Sequence, residues 1–263
     1  MSGIALLAHR SVAITCDEPE IVLRQGRETP LSQAIVGVVD TIVQGESVAL
    51  TDPTRLAVVG LSRTGEQSTL DHVADRYHAK GPAGIDPVLF AKANQFFPVF
   101  QVGRTLNTTG PASTLFTSGR QSAESLYYAW LLLRRGHASH ALALDYDLEA
   151  AQDGTKAAVI TIRAILLGTL AEDEQRRSPC LESCRLGPYV PAGPDRSAAL
   201  AAWRQSLCRD HSGAEWSADD LDPLWHAVDS AAAVASRVDH ILPAGAGNIV
   251  TSAWHRPGSG ERA

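Results

Sequence analysis

Gly110 to Gly136 reads GPASTLFTSGRQSAESLYYAWLLLRRG, and the fold turns on how this stretch is divided. A Gly-Pro turn at Gly110-Pro111 opens it. A short apolar-alternating run follows from Ala112 to Thr117, then a small-residue corner at Ser118-Gly119, then a helix-forming run from Arg120 to Arg135. The pattern predicts a strand, a sharp turn and a helix. Ala123, Leu126, Tyr127, Trp130, Leu131 and Leu133 spread apolar side chains over nearly all sides of that helix, which predicts an interior position. The corner sits at the helix N-terminus, where unpaired N–H groups favour developing negative charge. Enzymes place nucleophiles at such corners. Here position 119 is glycine, which has no side chain to attack with.

Outward from this stretch, strand and helix signals alternate. Ile4 to Ile14 predicts a first strand, and Leu31 to Val43 carries apolar residues at helical spacing. Arg55 to Leu61 (RLAVVGL) is a continuous apolar run of the kind buried parallel strands show. Gly65 to His78 predicts a polar helix. Asp86-Pro87 predicts the N-cap and first position of another, running to about Gln95, with Pro98 breaking the pattern afterwards. Asn107-Thr108-Thr109 reads as a turn. Ala141 to Tyr146 and Lys156 to Ile162 predict two further strands, and Ser197 to Leu207 a helix. Pro, Gly and Ser crowd between Ser178 and Ser197, which predicts a long loop or weak boundary. The alternation argues for a layered α/β fold.

Apolar residues make up 44% of the 263 residues and charged residues 20%, as in soluble globular proteins. A formal charge of −6 gives no electrostatic case for nucleic acid or an anionic membrane as partner. The apolar runs fall well short of a membrane span. Met1-Ser2-Gly3 enters a strand-like run without a basic segment or cleavage site, so a cytoplasmic protein is expected. Cys16, Cys180, Cys184 and Cys208 have no zinc-finger spacing and read as reduced thiols, leaving no metal and no cofactor to expect.

The quoted stretch resembles the active-site segment of the β-ketoacyl synthases, condensing enzymes of the thiolase fold. In that family a Gly-Pro turn leads through a strand to Thr-Ala-Cys and then to a helix ending in glycine. Laid on this chain without gaps, the threonine falls on Thr117, the nucleophilic cysteine on Gly119 and the helix-ending glycine on Gly136. Asp153-Gly154-Thr155-Lys156-Ala157-Ala158 is similar to a degraded Gly-Asp-Gly-Ala-Gly motif of the family. Ala244-Gly245-Ala246-Gly247-Asn248-Ile249-Val250 is similar to its closing Gly-rich turn and last strand. The resemblance implies an abbreviated thiolase-like layered α/β fold with a buried central helix. It implies one domain over residues 1–263, in which 1–165 matches the N-terminal half best and 166–263 is a shortened C-terminal half. Only a few residues separate Tyr146 from Asp153, where the family inserts a lobe over its acyl tunnel. The family's His-Gly-Thr-Gly-Thr motif is absent.

Claisen-type condensation needs a thiolate to hold the acyl chain and two imidazoles to support decarboxylation. The chain lacks the thiolate at position 119, and only His226, in Trp225-His226-Ala227, stands as a positional relic of the second histidine. A substitute nucleophile would have to be Ser118 or Ser122, served by one of His72, His78, His137, His140, His226, His240 or His255. Three functions follow from the resemblance. One is a non-catalytic subunit, like a chain length factor, that forms a heterodimer with an active ketosynthase of polyketide or fatty-acid synthesis. It would pair through the dimer strand Ala112, Ser113, Thr114, Leu115, Phe116 and Thr117. The second is an acyltransferase or hydrolase using a serine. The third is a homodimeric scaffold that binds an acyl carrier protein or acyl intermediate, with Arg134 and Arg135 offering a small basic patch.

Overall fold

The computed structural model describes residues 3–16, 29–45, 52–116, 124–150, 158–170, 180–186, 238–243 and 249–255. The strands are β1 (Gly3–Cys16), β2 (Leu56–Ser62), β3 (Ala112–Phe116), β4 (His140–Ala150), β5 (Ala158–Leu170), β6 (Cys180–Leu186), β7 (Val238–Pro243) and β8 (Ile249–His255). The helices are α1 (Pro30–Gly45), α2 (Gln67–Lys80), α3 (Pro87–Lys92), α4 (Phe97–Thr105) and α5 (Glu124–Arg134). Described strands form a single mixed sheet in the order β3-β2-β4-β5-β1-β6-β8-β7. The pairs β3-β2 and β2-β4 are parallel, and the rest are antiparallel.

Helices cover both faces of the sheet, because side chains alternate along each strand. Leu56 and Val58 of β2, with Leu142, Leu144 and Tyr146 of β4, face α1 and α4. Ala57 and Val59, with Ala141 and Ala143, face α5. Small side chains on the second face let α5 lie close to the sheet, where Leu126, Ala129 and Leu133 fill the gap. α1 buries Leu31, Ile35, Val38, Val39 and Ile42, one stripe at helical spacing.

α5 contacts strands from β2 through β6. Those strands would spread over about 19 Å in a flat sheet, too wide for one helix to touch. The sheet therefore curls around α5, and Leu181 and Cys184 of β6 join the cluster that packs on it. This is the central helix expected from the sequence. Its sheet-facing residues are buried, while Tyr127, Trp130, Leu131 and Leu132 are half-buried and Tyr128 is exposed. Tyr127 stacks near Trp130 with ring centroids 6.5 Å apart.

Local signals account for several helix ends. Thr29 caps α1 ahead of Pro30. The Thr29 N–H donates to Ser32 Oγ (2.9 Å) while the Ser32 N–H donates to Thr29 Oγ1 (3.1 Å), a reciprocal capping box. The Thr29 hydroxyl also donates to Glu66 Oε1 (2.5 Å), and the Thr69 hydroxyl to Glu66 Oε2 (2.8 Å). Burial holds the Glu66 carboxyl above the ordinary carboxylate range; these two hydroxyls and the Lys92 charge oppose that. Asp86 caps α3 by accepting from the N–H groups of Val88 and Leu89, as expected. α5 ends in a Schellman motif: the His137 N–H donates to Leu132 O (2.9 Å) and the Gly136 N–H to Leu133 O (3.0 Å), with Gly136 at φ 70°.

Four expectations need correction. α3 stops at Lys92 rather than near Gln95. Pro98 does not simply end a pattern; it lies in the first turn of α4, where its missing N–H is unneeded. β5 runs to Leu170, well past Ile162, because it pairs along its length with both β4 and β1. Cys180–Leu186 is strand β6, not loop, despite the Pro, Gly and Ser around it. Cys180 and Cys184 carry buried thiols, and burial pushes both up, Cys180 to about 11, so they are protonated at neutral pH. The helix expected over residues 197–207, like Cys208, lies outside the described residues.

Candidate functional site

β3 enters the corner and α5 leaves it, as the sequence predicts. The joining residues 117–123, which include Thr117, Ser118, Gly119 and Ser122, lie outside the described residues, and so does His226. The structure fixes what surrounds the corner. At the entrance Gly110 passes against β2: a Cβ there would stand 2.2 Å from the Leu56 carbonyl oxygen. The Thr108 hydroxyl donates to Pro53 O (2.6 Å) and Leu56 O (2.9 Å), fixing the Asn107–Thr109 turn.

Among the described strands, β3 is the edge of the sheet. The Val58 N–H donates to Pro111 O (2.9 Å). In a parallel ladder alternate residues bond one neighbour, so Ser113 and Leu115 address β2. The N–H and C=O groups of Ala112, Thr114 and Phe116 then face the open edge. No charge, proline or bulge blunts this edge within Ala112–Phe116.

At the same end of the sheet as the corner, the C-terminal ends of β2 and β4 build a polar cluster. Leu61 pairs with Asp145, and Asp145 with Arg163. Asp147 Oδ1 accepts from the Ser62 hydroxyl (2.9 Å), the Arg63 N–H (2.9 Å), the Thr64 N–H (3.0 Å) and the Thr64 hydroxyl (3.0 Å). One carboxylate oxygen thus ties the turn after β2 to the end of β4. Arg63 pairs with Glu149, and Arg163 with Asp145 at 3.0 Å. Asp145, Asp147 and Glu149 share strand parity with Ala141 and Ala143, so they lie on the α5 side of the sheet. Their period-2 spacing in DYDLE was visible in the sequence, but their arginine partners, one at 63 and one at 163, were not. On the opposite face Tyr146 and Val99 pack over Gly60. Burial pushes the Tyr146 phenol well above its usual range.

Among the described candidate bases, His137, His140, His240 and His255 lie away from the corner. His140 opens β4 opposite Leu56, six residues before the level of Ser62, a separation of about 20 Å along the strands. Burial lowers its pKa. His137 follows α5 at the end away from the corner. His255 pairs with Cys180, which pairs with Ala5, and Ala5 leads through Gly168 to His140; His240 lies farther along, opposite Ser252. Both belong to that same far end. His72 and His78 are on α2, which packs on α3. Among the described residues, no group of three His, Cys, Asp or Glu side chains could hold a metal ion.

The fold as a whole is similar to known structures. No protein-family model and no curated protein matches the chain. The chain has a ketosynthase-like thiolase fold. It is similar to the ishigamide ketosynthase/chain length factor, with a TM-score of 0.69 at 13% identity over 96% of this chain and 99% of that one. A chain of the AntDE:AntF structure, a type II PKS acyl-carrier protein in complex with its ketosynthase, gives 0.68 at 10% identity over 97% and 99%. A β-ketoacyl synthase from Burkholderia phymatum gives 0.64 at 9% identity over 97% and 100%. At these identities the likeness is one of fold.

Proposed function

We propose that this chain is a non-catalytic ketosynthase-like subunit that pairs with an active ketosynthase in polyketide or fatty-acid-type biosynthesis. The observation that carries this reading is the frame around position 119: strand β3 and helix α5 persist, while the residue between them that would act as nucleophile is glycine. The scattered histidines support it, since condensation parts act as a unit and little activity remains when members are missing. The unblunted edge of β3 supports pairing, because such an edge invites another strand. Two of the similar structures are described by their pairing, one with a chain length factor and one with an acyl-carrier protein. A cytoplasmic setting goes with this reading. Among the described residues, no helix is long and apolar enough to cross a membrane.

The test is co-expression with an active ketosynthase encoded in the same neighbourhood, followed by size exclusion and intact mass after exposure to an acyl carrier donor. Co-elution without an acyl adduct is expected. Thr114→Pro, which removes an outward N–H and leaves the β2 ladder intact, should abolish co-elution. An acyl adduct on Ser118 or Ser122 would instead establish the acyltransferase or hydrolase reading. A homodimer indifferent to the ketosynthase would establish the scaffold.

A further inference from the structure

The β3 edge is too small to hold a partner by itself. Five residues span about 17 Å, whereas a stable interface buries about 800 Å² on each side. Additional contact has to come from what flanks the strand. On one face of the sheet α4 packs over β2 and β3, while α1 lies beside it toward β5 and β1. Because α4 packs on the edge strand β3 as well as on β2, with α1 on its inner side, its exposed face borders the β3 edge. That face is aromatic. Phe96 and Phe100 lie one turn apart, linked by the Phe100 N–H donating to Phe96 O (3.0 Å), and are 37% and 51% exposed. Phe116, 48% exposed, stands on the same side of β3, because it shares strand parity with Thr114, whose partner Gly60 lies beneath Val99 of α4. Three exposed phenylalanines beside an unblunted edge make an apolar surface that water does not favour.

We propose that Phe96, Phe100 and Phe116 form the apolar flank of the pairing surface, and that its occupant is the ketosynthase partner subunit. This inference rests on the pairing reading above. The edge supplies direction through backbone hydrogen bonds, and the phenylalanines supply the binding energy, as aromatic anchors do at interfaces. α3 provides a matched control: Val88 and Phe90 are more exposed, at 64% and 58%, but their helix packs against α2 rather than over the edge.

The experiment measures affinity for the co-expressed ketosynthase in full-length variants. Phe96→Ser with Phe100→Ser should weaken pairing at least tenfold, while Val88→Ser with Phe90→Ser should leave it within twofold. A photo-crosslinking residue at position 100, in an otherwise unaltered chain, should crosslink to the ketosynthase, and one at position 90 should not. This second measurement is independent of whether the double variants fold well. If the phenylalanine variants pair as tightly as the parent and position 100 gives no crosslink, while Thr114→Pro still abolishes pairing, the flank is refuted and the pairing reading survives. If the unaltered chain binds no ketosynthase, both fall together.

Discussion

Two glycines in the opening stretch look alike in sequence and are required for different reasons. Gly110 has no room: an added methyl would meet the Leu56 carbonyl at 2.2 Å, and that oxygen belongs to a buried strand that cannot yield. Gly136 has open space around it, but its φ of 70° lies where a side chain strains the backbone. Gly136→Ala should therefore cost about 1 kcal/mol. Gly110→Ala should cost about 3 kcal/mol or more, in the range of severe overpacking. Urea denaturation of both variants checks the order, and equal costs would mean that the Gly110 turn relaxes. Position 136 as a helix-ending glycine was legible in the sequence, because a C-terminal glycine follows an apolar helix for a local reason. The crowding at Gly110 was not, since it depends on a strand more than fifty residues away.

Among the elements, the join between β2 and α2 depends on one side chain from β4. Asp147 collects four donors from Ser62, Arg63 and Thr64, so the turn that starts α2 is held by a strand far off in sequence. Charge-assisted bonds of this kind are the strong ones. Asp147→Ala should destabilise by about 2–4 kcal/mol, since four half-buried donors lose their acceptor, while Thr64→Val, which removes one of the four, should cost about 1 kcal/mol. Chemical denaturation with hydrogen exchange localises the effect: faster exchange is expected at the α2 N-terminus and not in α5. Most helices and strands were readable from apolar spacing. Where local pattern and structure differ, the causes are physical. Pro98 reads as a breaker in sequence because proline both stops helices and opens them, and only the start of α4 distinguishes the two. β6 was hidden because its pairing partners, Ala5 at one end of the chain and residues 250–255 at the other, override local composition.

For the whole molecule, the question is whether a missing cysteine alone separates this chain from an active condensing enzyme. On the non-catalytic reading it does not, and the positions of His137 and His140, at the end of α5 away from the corner, support that reading. Gly119→Cys should accept an acyl group slowly at most and should show no condensation above background, measured as product from acyl and malonyl carrier donors. Recovered condensation would overturn the non-catalytic reading.

The sequence alone determined the alternation of strands and helices, the strand-corner-helix entry, the absence of a nucleophile at position 119 and the cap at Asp86. Each of these depends on residue type and near neighbours, through backbone sterics, periodicity and capping bonds. Only the tertiary structure decided that the sheet curls around α5, that β3 is an edge with Phe96, Phe100 and Phe116 beside it, and that the polar cluster at Asp147 joins three segments. Those features come from pairings between residues distant in sequence, whose energies depend on geometry that no local pattern encodes.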